Sequence, residues 1–456
     1  MNESIHDAVR AMRVEPKKTG CGLLPGERRA ALLRLAEEIK RREGDLCAAL
    51  KSDLNKSETE AYMTEIGMVL SEIAHAARHV EKWAKPRRAR TPLAQFPARS
   101  DVIPEPYGVA LIMAPWNYPF QLSLSPLVGA LAAGCRAVLK PSNYAPATAG
   151  VIEQIVAACF PKTLVCVVQG GREANAKLLD ERFDIIFFTG GVTVGKLVLQ
   201  KAAEHVTPVV LELGGKSPCI VDDTADLALS ARRIAFGKGL NSGQTCVAPD
   251  YLLVQRGVRD ALLSNIAACW REFYGDALQN PDWPRMVNEK HFARVLGLIE
   301  GETVFCGGRG ENGRIEPTIL TDVTERSPVM NEEIFGPVLP VIAYDTLEEA
   351  IAFVNAREKP LALYLFTRDE NTRKTVLSRV PFGGGCVNDT IIHLATSAMP
   401  FGGVGQSGMG NYHGKRSFDA FTHEKSVVQK GFGLDLTIRY APYTEKKRAL
   451  IKRFMR

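Results

Sequence analysis

Cys246 is the residue whose type and setting point most directly to chemistry. It follows the glycine turn of the segment Asn-Ser-Gly-Gln-Thr-Cys-Val-Ala-Pro at residues 241–249, far from any other cysteine in the sequence. A single thiol in such a loop is either a nucleophile or a buried structural group, because free cysteine is among the most frequently buried residue types. The thiol alone leaves both interpretations open.

A carboxylate in an apolar segment favours the interpretation of Cys246 as a nucleophile. Glu212 lies in the run Thr-Pro-Val-Val-Leu-Glu-Leu-Gly-Gly at residues 207–215. Burying a charge there costs free energy unless the group has partners or a function. We therefore interpret Cys246 as a nucleophile and Glu212 as a general base. A structural carboxylate bonded to nearby backbone is the alternative for Glu212.

A glycine-rich segment supports two hypotheses for nucleotide binding. Residues 190–196 match the pattern G-x-x-x-x-G-K after the apolar run 185–188, as in a phosphate loop. Leu197 stands where Ser or Thr would bind magnesium, which disfavours a nucleotide triphosphatase. The same glycines, between a strand and a helix, favour a dinucleotide pyrophosphate held by backbone N–H groups, although G-x-G-x-x-G is absent. The glycines at 307–310 are most simply a turn.

The bulk composition is that of an ordinary globular protein. The 456 residues exceed what one core usually supports, and 46% are hydrophobic and 24% charged. The ten cysteines contain no C-x-x-C pair and no zinc-like spacing, so we predict reduced thiols and no metal site. No segment looks like a signal peptide or a transmembrane helix. We expect a soluble, cytoplasmic protein.

The net charge of +6 is mild, and two clusters carry much of the basic character, at residues 82–90 and 446–456. The second cluster is most simply a solvated, partly disordered tail. Apolar residues among its cations make peripheral membrane contact the alternative. Nucleic-acid binding is disfavoured because neither cluster shows interleaved aromatic residues or a matching fold motif.

The elements that must position these residues follow from the apolar periodicity. Residues 27–50 and 58–83 predict helices. Strands are predicted at 109–113, 137–140, 165–168 and 184–188, with helices at 122–133 and 151–159 between them. A second alternating unit extends from 219 to 385. This rhythm indicates an α/β fold with doubly wound parallel sheets.

Four separated motifs resemble the NAD(P)-dependent aldehyde dehydrogenase superfamily. They are residues 207–215 around Glu212, residues 241–249 around Cys246, Ala-Pro-Trp-Asn-Tyr-Pro-Phe at 114–120 and Glu-Glu-Ile-Phe-Gly-Pro at 332–337. They occur in the family's order. Segments 188–196, 246–251, 399–410 and 412–415 are similar to the class 3 branch. The resemblance extends from about residue 58 to 425.

The resemblance implies an aldehyde dehydrogenase-like fold and a homodimer. It implies two doubly wound domains: a cofactor-binding domain at 1–85 and 104–208, and a catalytic domain at 209–408. A small β oligomerisation element would comprise 86–103 and 409–440, as a hairpin and a returning strand. Residues 441–456 would form the basic tail.

The resemblance also implies oxidation of an aldehyde to a carboxylic acid with NAD+ and/or NADP+. The Cys246 thiolate would add to the carbonyl, and loss of hydride would leave a thioester that water, activated by Glu212, hydrolyses. The Asn117 side chain and the Cys246 backbone N–H would bind the oxyanion. An acylating enzyme that uses coenzyme A is the alternative, and a non-catalytic role is disfavoured by the joint presence of the three residues.

The implied cofactor site comprises Trp116, Lys140, Ser142, Asn143, Gly190, Gly195, Leu213, Glu333 and Phe335. Lys140 would bond the adenosine ribose, Phe335 would contact the nicotinamide, and Glu333 would bond the nicotinamide ribose or serve as a second candidate base. Asn143 stands where many NAD-selective relatives carry glutamate, so we expect both cofactors to be used. The alternative is that Asn143 forms a hydrogen bond to the ribose and so keeps NAD the preferred cofactor.

An apolar substrate tunnel is implied as well. It would suit medium-chain aliphatic or aromatic aldehydes, since its segments contain no arginine to bind a substrate carboxylate. Core packing is the alternative for each residue. His413 is interpreted as structural. The predicted tunnel residues are Tyr62, Tyr118, Phe236, Leu240, Ile391, Ile392 and Thr396.

Overall fold

The N-terminal part of the protein is helical. The structure, a computed structural model, describes residues 5–14 and 23–454. The prediction of one helix over 27–50 was wrong, because Arg42, with φ −105° and ψ 20°, interrupts it while the apolar pattern continues. A π-helical turn at Tyr62–Ile66 interrupts the second predicted helix. The α-helices are α1 Ile5–Val14, α2 Pro25–Arg41, α3 Glu43–Leu54, α4 Glu58–Ala61 and α5 Gly67–Trp83.

The segment after α5, residues 87–213, contains two strands of a separate sheet, β1 and β2, and then the strands of the first parallel sheet. Its strands have the order β7-β6-β3-β4-β5, and β3 is buried along its whole length, as expected for a sheet covered on both faces. The elements are β1 Arg87–Ala89, β2 Ala98–Pro106, β3 Val109–Met113, α6 Gln121–Ala133, β4 Arg136–Lys140, α7 Pro146–Cys159, β5 Val165–Val167, α8 Arg172–Asp180, β6 Ile185–Gly190, α9 Val192–Ala203 and β7 Val209–Leu213.

A second sheet has the order β10-β13-β14-β9-β8-β15-β16, parallel except at the edge strand β10. Of the glycines after β10, where a turn was predicted, Gly307 and Gly308 have positive φ and lie in an irregular connection, and Gly310 begins the short strand β11. The elements are β8 Pro218–Val221, α10 Leu227–Gly239, β9 Tyr251–Gln255, α11 Arg259–Tyr274, α12 Glu289–Gly297, β10 Thr303–Cys306, β11 Gly310–Glu311, β12 Arg314–Ile315, β13 Thr318–Thr321, β14 Val338–Tyr344, α13 Leu347–Asn355, β15 Ala362–Phe366, α14 Glu370–Arg379 and β16 Gly384–Val387.

The C-terminal segment returns to both the first sheet and the hairpin. It contains β17 Gly408–Met409, α15 Lys415–Ala420, β18 Thr422–Lys430 and α16 Glu445–Phe454. β17 adds an antiparallel edge beside β7, and β18 pairs with β2 along its whole length to form the three-stranded sheet β1-β2-β18. The predicted fold class is confirmed, with one antiparallel edge strand added to each parallel sheet.

Strand β7 pairs with β6 and is part of the first sheet. The strand that carries Glu212 therefore belongs to the same sheet as the glycine turn after β6. The division into domains, with its boundary at residue 209, stays a prediction. Within residues 5–14 and 23–454, no helix is long and apolar enough to cross a membrane.

Candidate active site

Cys246 lies after a tight turn that follows α10. Asn241 and Ser242 have positive φ, and a Cβ on Gly243 would lie 2.2 Å from the carbonyl oxygen of Gly336, so only glycine fits there. Burial raises the pKa of the Cys246 thiol to about 12, and the negative charges of Glu333 and Glu212 add to the effect. The thiol is therefore protonated at neutral pH until a base removes its proton.

Glu212 carries a buried carboxyl group on β7. Its side chain lies on β7 and is 3% exposed. Neither carboxylate oxygen has a hydrogen-bond partner among the described residues, so the alternative of a carboxylate bonded to nearby backbone does not describe it. Burial raises its pKa well above the ordinary value. A buried, unpartnered carboxyl of this kind can exchange a proton at neutral pH.

Asn117 is held by the loop that carries the thiol. Its side chain is buried, and its Nδ2 group donates a hydrogen bond to the backbone oxygen of Gln244 at 3.1 Å. An amide nitrogen carries two hydrogens, so one N–H remains. Asn117 lines the same cavity as Cys246 and Glu212, and the three predicted catalytic residues are thus brought together.

Two cavities meet at Cys246. The larger one has a volume of about 440 Å³ and is bordered by the glycine turn after β6, by Glu212 and by Glu333. We call it the polar cavity because of these two carboxyl groups and the backbone amides of the turn. The apolar cavity, of about 170 Å³, is lined mainly by hydrocarbon and aromatic side chains. Cys246 lines both. A molecule bound in each cavity would therefore have the thiol between them.

The glycine turn fits a dinucleotide pyrophosphate. Residues 190–193 border the polar cavity at the N-terminus of α9, whose N-cap residue, Gly191, gives no side-chain cap. Backbone N–H groups at a helix N-terminus bind anions well. A Cβ on Gly195 would lie 2.6 Å from Leu213, so this glycine permits close packing of α9 on β7. Gly190 similarly makes room for the ring of Phe188.

Glu333, Phe335 and Trp116 border the polar cavity on another side. The Oε1 atom of Glu333 has no hydrogen-bond partner among the described residues. Burial, with the charge of Asp250, raises the pKa of Glu333 to about 8. The Phe335 ring lies edge-on to Trp116, with centroids 5.3 Å apart. A carboxyl beside two aromatic rings fits a ribose and a flat heterocycle.

Lys140, Ser142 and Asn143 lie outside this cavity, at and after the end of β4. Lys140 is buried and donates to the backbone oxygen of Pro141 at 2.9 Å, and burial lowers its pKa to about 8. Ser142 accepts a hydrogen bond from the N–H of Tyr144, and Asn143 is exposed. β4 is two strands away from β6, so these residues lie roughly 10 Å along the sheet from the glycine turn.

Five of the seven predicted tunnel residues line the apolar cavity, and Tyr62 and Thr396 do not. The π-helical turn shifts the helix face, so that Met63 and Thr64 line the cavity while Tyr62 is 45% exposed. Thr396 borders a separate cavity of about 30 Å³. The five that line the apolar cavity are Tyr118, Phe236, Leu240, Ile391 and Ile392.

Several lining residues were not identified from the sequence. His413 was interpreted as structural and lines the apolar cavity; its ring stacks on Phe401, and burial lowers its pKa to about 4, so it is neutral. Phe401 lies in the Met-Pro-Phe-Gly-Gly motif, which could have indicated it. Tyr412 in the apolar cavity and Thr189 in the polar one lie in segments 412–415 and 188–196, which could also have indicated them. Others had no local signal. They include Met68, Gln121, Leu122, Leu394 and Ala395 in the apolar cavity, and His291 and Arg294 in the polar one.

A thiol between a cavity bordered by a glycine turn and an apolar cavity is an arrangement typical of a dinucleotide-dependent dehydrogenase. The chain belongs to the aldehyde dehydrogenase family, whose model matches residues 2–427. The family uses NAD(P)+, and the chain is of the class 3-like branch. The predictions of the family, the fold and the type of cofactor are therefore confirmed.

The most similar proteins include bacterial and mammalian aldehyde dehydrogenases. A 4,4'-diaponeurosporen-aldehyde dehydrogenase of Staphylococcus aureus is 49% identical over 92% of each chain. Rat aldehyde dehydrogenase family 3 member A2 is 44% identical over 93% of this chain and 88% of its own. A substrate-bound structure of Staphylococcus aureus AldH has a TM-score of 0.97 and 45% identity, and each chain is covered completely.

Proposed function

We propose that this aldehyde dehydrogenase oxidises medium-chain aliphatic or aromatic aldehydes to carboxylic acids. The proposal is supported by the lining of the apolar cavity, which, among the residues that the structure describes, contains no carboxylate, lysine or arginine side chain. A charged substrate would lose its hydration there without a partner. The test is kcat/KM for a panel of aldehydes graded in chain length and charge, including 4,4'-diaponeurosporen-aldehyde, after which the Staphylococcus aureus relative is named.

The covalent step begins at Cys246. An ionised carboxylate in the polar cavity takes the thiol proton and releases it to solvent, and the sulfur adds to the aldehyde carbon. The carbonyl oxygen becomes an oxyanion, which the free N–H of Asn117 and the backbone N–H of Cys246 bind. The dinucleotide, when bound, supplies the hydride acceptor. Loss of hydride from the substrate carbon reforms the carbonyl and leaves a thioester on Cys246.

Glu212 then serves as the base for hydrolysis. The observation that carries this proposal is the pair of unpartnered oxygens of Glu212 in the cavity that Cys246 lines. The carboxylate takes a proton from water, the hydroxide adds to the thioester carbon, and the Cys246 sulfur leaves. The products are the carboxylic acid and the free thiol. Glu333, with its raised pKa, is the second candidate base.

An acylating reaction would transfer the same thioester to coenzyme A. A carboxyl with no hydrogen-bond partner among the described residues, in the cavity that the thiol lines, favours water as the acceptor. The test supplies coenzyme A during turnover and separates the products by chromatography. We expect free acid as the main product, and acyl-coenzyme A as the main product would overturn the assignment to hydrolysis.

We propose that both NAD+ and NADP+ are used. Asn143 is exposed and neutral, and the position of a Cβ on Gly171 would be 3.4 Å from its amide nitrogen, so it lies against the turn before α8. No negative charge at residue 143 repels a 2′-phosphate, and Lys140 lies three residues earlier. The selectivity is measured as the ratio of kcat/KM values for the two cofactors.

We propose a cytoplasmic homodimer that pairs through the β1-β2-β18 sheet. Within residues 5–14 and 23–454, one edge of β18 has no paired strand, and an unpaired edge strand readily associates with another copy. The nine cysteines among the described residues are free, which fits a reducing compartment. Light scattering at micromolar concentration tests the dimer, and a stable monomer would contradict it.

A further inference from the structure

We propose that three charged residues before α5 position the two halves of the oxyanion site. Lys56 follows α3, Glu60 lies in α4, and Glu65 lies in the π-helical turn. None of the three is among the described residues that line the polar or the apolar cavity, so they would act through their neighbours. The inference rests on the function proposed above for Asn117 and Cys246.

Lys56 and Glu65 form an ion pair that is closed to solvent. The Lys56 Nζ and a Glu65 oxygen are 2.5 Å apart, and both side chains are 0% exposed. A buried ion pair is stable only if further hydrogen bonds compensate the lost hydration. Lys56 makes such contacts: Nζ donates to the backbone oxygen of Asn117 at 3.0 Å and lies 3.9 Å from the centre of the Tyr118 ring.

The second oxygen of Glu65 orders the chain immediately after Asn117. It accepts hydrogen bonds from the backbone N–H groups of Phe120 at 2.8 Å and Gln121 at 3.2 Å. These groups are at the N-terminus of α6, where N–H groups have no partner within the helix and a negative charge is favourable. The ion pair therefore holds both ends of residues 117–121.

Glu60 extends the same arrangement to the loop of the nucleophile. Its carboxylate accepts the backbone N–H of Asn241 at 2.8 Å. The Asn241 side chain donates to the backbone oxygen of Asn117 at 2.7 Å and to that of Gln244 at 3.1 Å. Asn241 has φ 51°, a conformation that a non-glycine residue adopts only with support from its surroundings.

The carbonyl of Asn117 thus receives two donors, one from Lys56 and one from Asn241. The oxyanion site needs the Asn117 amide and the Cys246 N–H, which come from two different loops, at a fixed separation. A misplacement of about 1 Å can cost about 10²-fold in rate. Lys56 is therefore a positioning residue, whose removal should slow acylation of Cys246 without affecting the binding of the dinucleotide.

The test variant is Lys56→Met combined with Glu65→Gln, which removes both members of the ion pair together. The probe is p-nitrophenyl acetate, because Cys246 can attack this activated ester without a dinucleotide, and the burst of p-nitrophenolate reports acylation. We expect the burst rate to fall by about 10²-fold, with an unchanged Kd for NAD+. A native burst rate in the double variant would overturn the inference.

Asp53→Asn is the matched control for loss of stability. Asp53 is a buried carboxylate three residues before Lys56, and it accepts hydrogen bonds from the N–H and the hydroxyl of Thr148 at 2.8 and 2.7 Å. Neither of these hydrogen bonds involves Asn117 or the loop that carries Cys246. We expect a lower Tm and a native burst rate. An equally slow burst in this control would mean that general destabilisation explains the effect.

Asn117→Ala separates failure of this inference from failure of the proposed function. If Asn117→Ala acylates at the native rate, the oxyanion role of Asn117 is wrong, and this inference falls with it. If Asn117→Ala is slow and the Lys56/Glu65 variant is native, only this inference is wrong. When the changes are combined, the pair variant should slow Asn117→Ala by less than about threefold, and full additivity would contradict action through Asn117.

Glu60 provides a second test if the pair variant does not fold. Glu60→Ala removes the acceptor for the Asn241 N–H, whereas Glu60→Gln keeps an oxygen at that place. We expect the burst rate to fall by about tenfold or more in Glu60→Ala and to stay within about threefold of native in Glu60→Gln. A native rate in Glu60→Ala would overturn the positioning role of this segment.

Discussion

The side chain of Asn117 and the backbone of Gln244 are joined by a hydrogen bond of 3.1 Å. Asn117 follows β3 of the first sheet, and Gln244 lies in the loop between α10 and β9 of the second unit. The bond therefore connects the loops that supply the two proposed oxyanion donors. Because the two donors come from different units, the proposed chemistry requires a fixed separation between the Asn117 amide and the Cys246 N–H.

Replacing Cys246 with Ala should abolish turnover and leave binding of the dinucleotide nearly intact. The thiol carries the covalent step, while the glycine turn and α9 carry the pyrophosphate site. Fluorescence titration with NADH measures binding, and cofactor reduction measures turnover. Substantial turnover in Cys246→Ala would end the assignment of this residue.

Glu333→Gln should gain stability relative to the native protein as the pH rises. The folded-state pKa of Glu333 is about 8, above the ordinary value of 4.5. Between these two values the unfolded chain loses the Glu333 proton more readily, so the native protein loses stability with rising pH, and glutamine does not. We expect the difference in the free energy of unfolding to grow by a few kcal/mol from pH 5 to pH 9, because one pKa unit corresponds to about 1.4 kcal/mol.

Urea unfolding of both proteins at each pH provides the measurement. A difference that is the same at pH 5 and pH 9 would mean that the carboxyl has an ordinary pKa in the folded protein. Glu333 would then be less suitable as a second base.

Asn143→Glu should restrict the enzyme to NAD+. A carboxylate at this position would repel a 2′-phosphate and could still bond a ribose hydroxyl, so kcat/KM with NADP+ should fall by about tenfold or more. The value with NAD+ should change little. Equal loss with both cofactors would show that residue 143 affects folding or positioning instead of charge recognition.

Phe236→Arg should change the preference for the substrate. Phe236 lines the apolar cavity and is 36% exposed, so an arginine there can reach solvent while placing a charge at the cavity. We expect the ratio of kcat/KM values to shift by about tenfold from apolar aldehydes towards aldehydes with a carboxylate.

Tyr62→Arg is the control for this change, because Tyr62 is more exposed and lies outside the cavity. It should leave the preference unaltered. An equal shift in Tyr62→Arg would show that surface charge alone changes the preference.

The sequence predicted most clearly those elements whose local pattern matched their surroundings. β3 was predicted with its observed bounds because a continuous apolar run is buried on both faces of its sheet. The break at Arg42 and the π-helical turn were missed, since the apolar periodicity continues through both. The short edge strands β10 and β17 were missed because their pairing depends on distant segments.

The site was predictable where it lies in a motif. Cys246, Glu212 and Asn117 were identified through motifs that the fold brings to one cavity. Lys56 and Glu65 were not identified, because charged residues in a polar helical segment are typically exposed. Their burial follows from packing against the loops after β3 and α10, which no local pattern encodes.

Trapping the acyl-enzyme tests the central claim most directly. In Glu212→Gln, the first turnover should proceed and hydrolysis should stall, since the amide cannot take a proton from water. Rapid-quench mass spectrometry should find one equivalent of reduced cofactor and the acyl group on the peptide that contains Cys246. If Glu212→Gln hydrolyses the thioester at the native rate, or if the acyl group is absent from Cys246, the roles assigned to these residues are wrong.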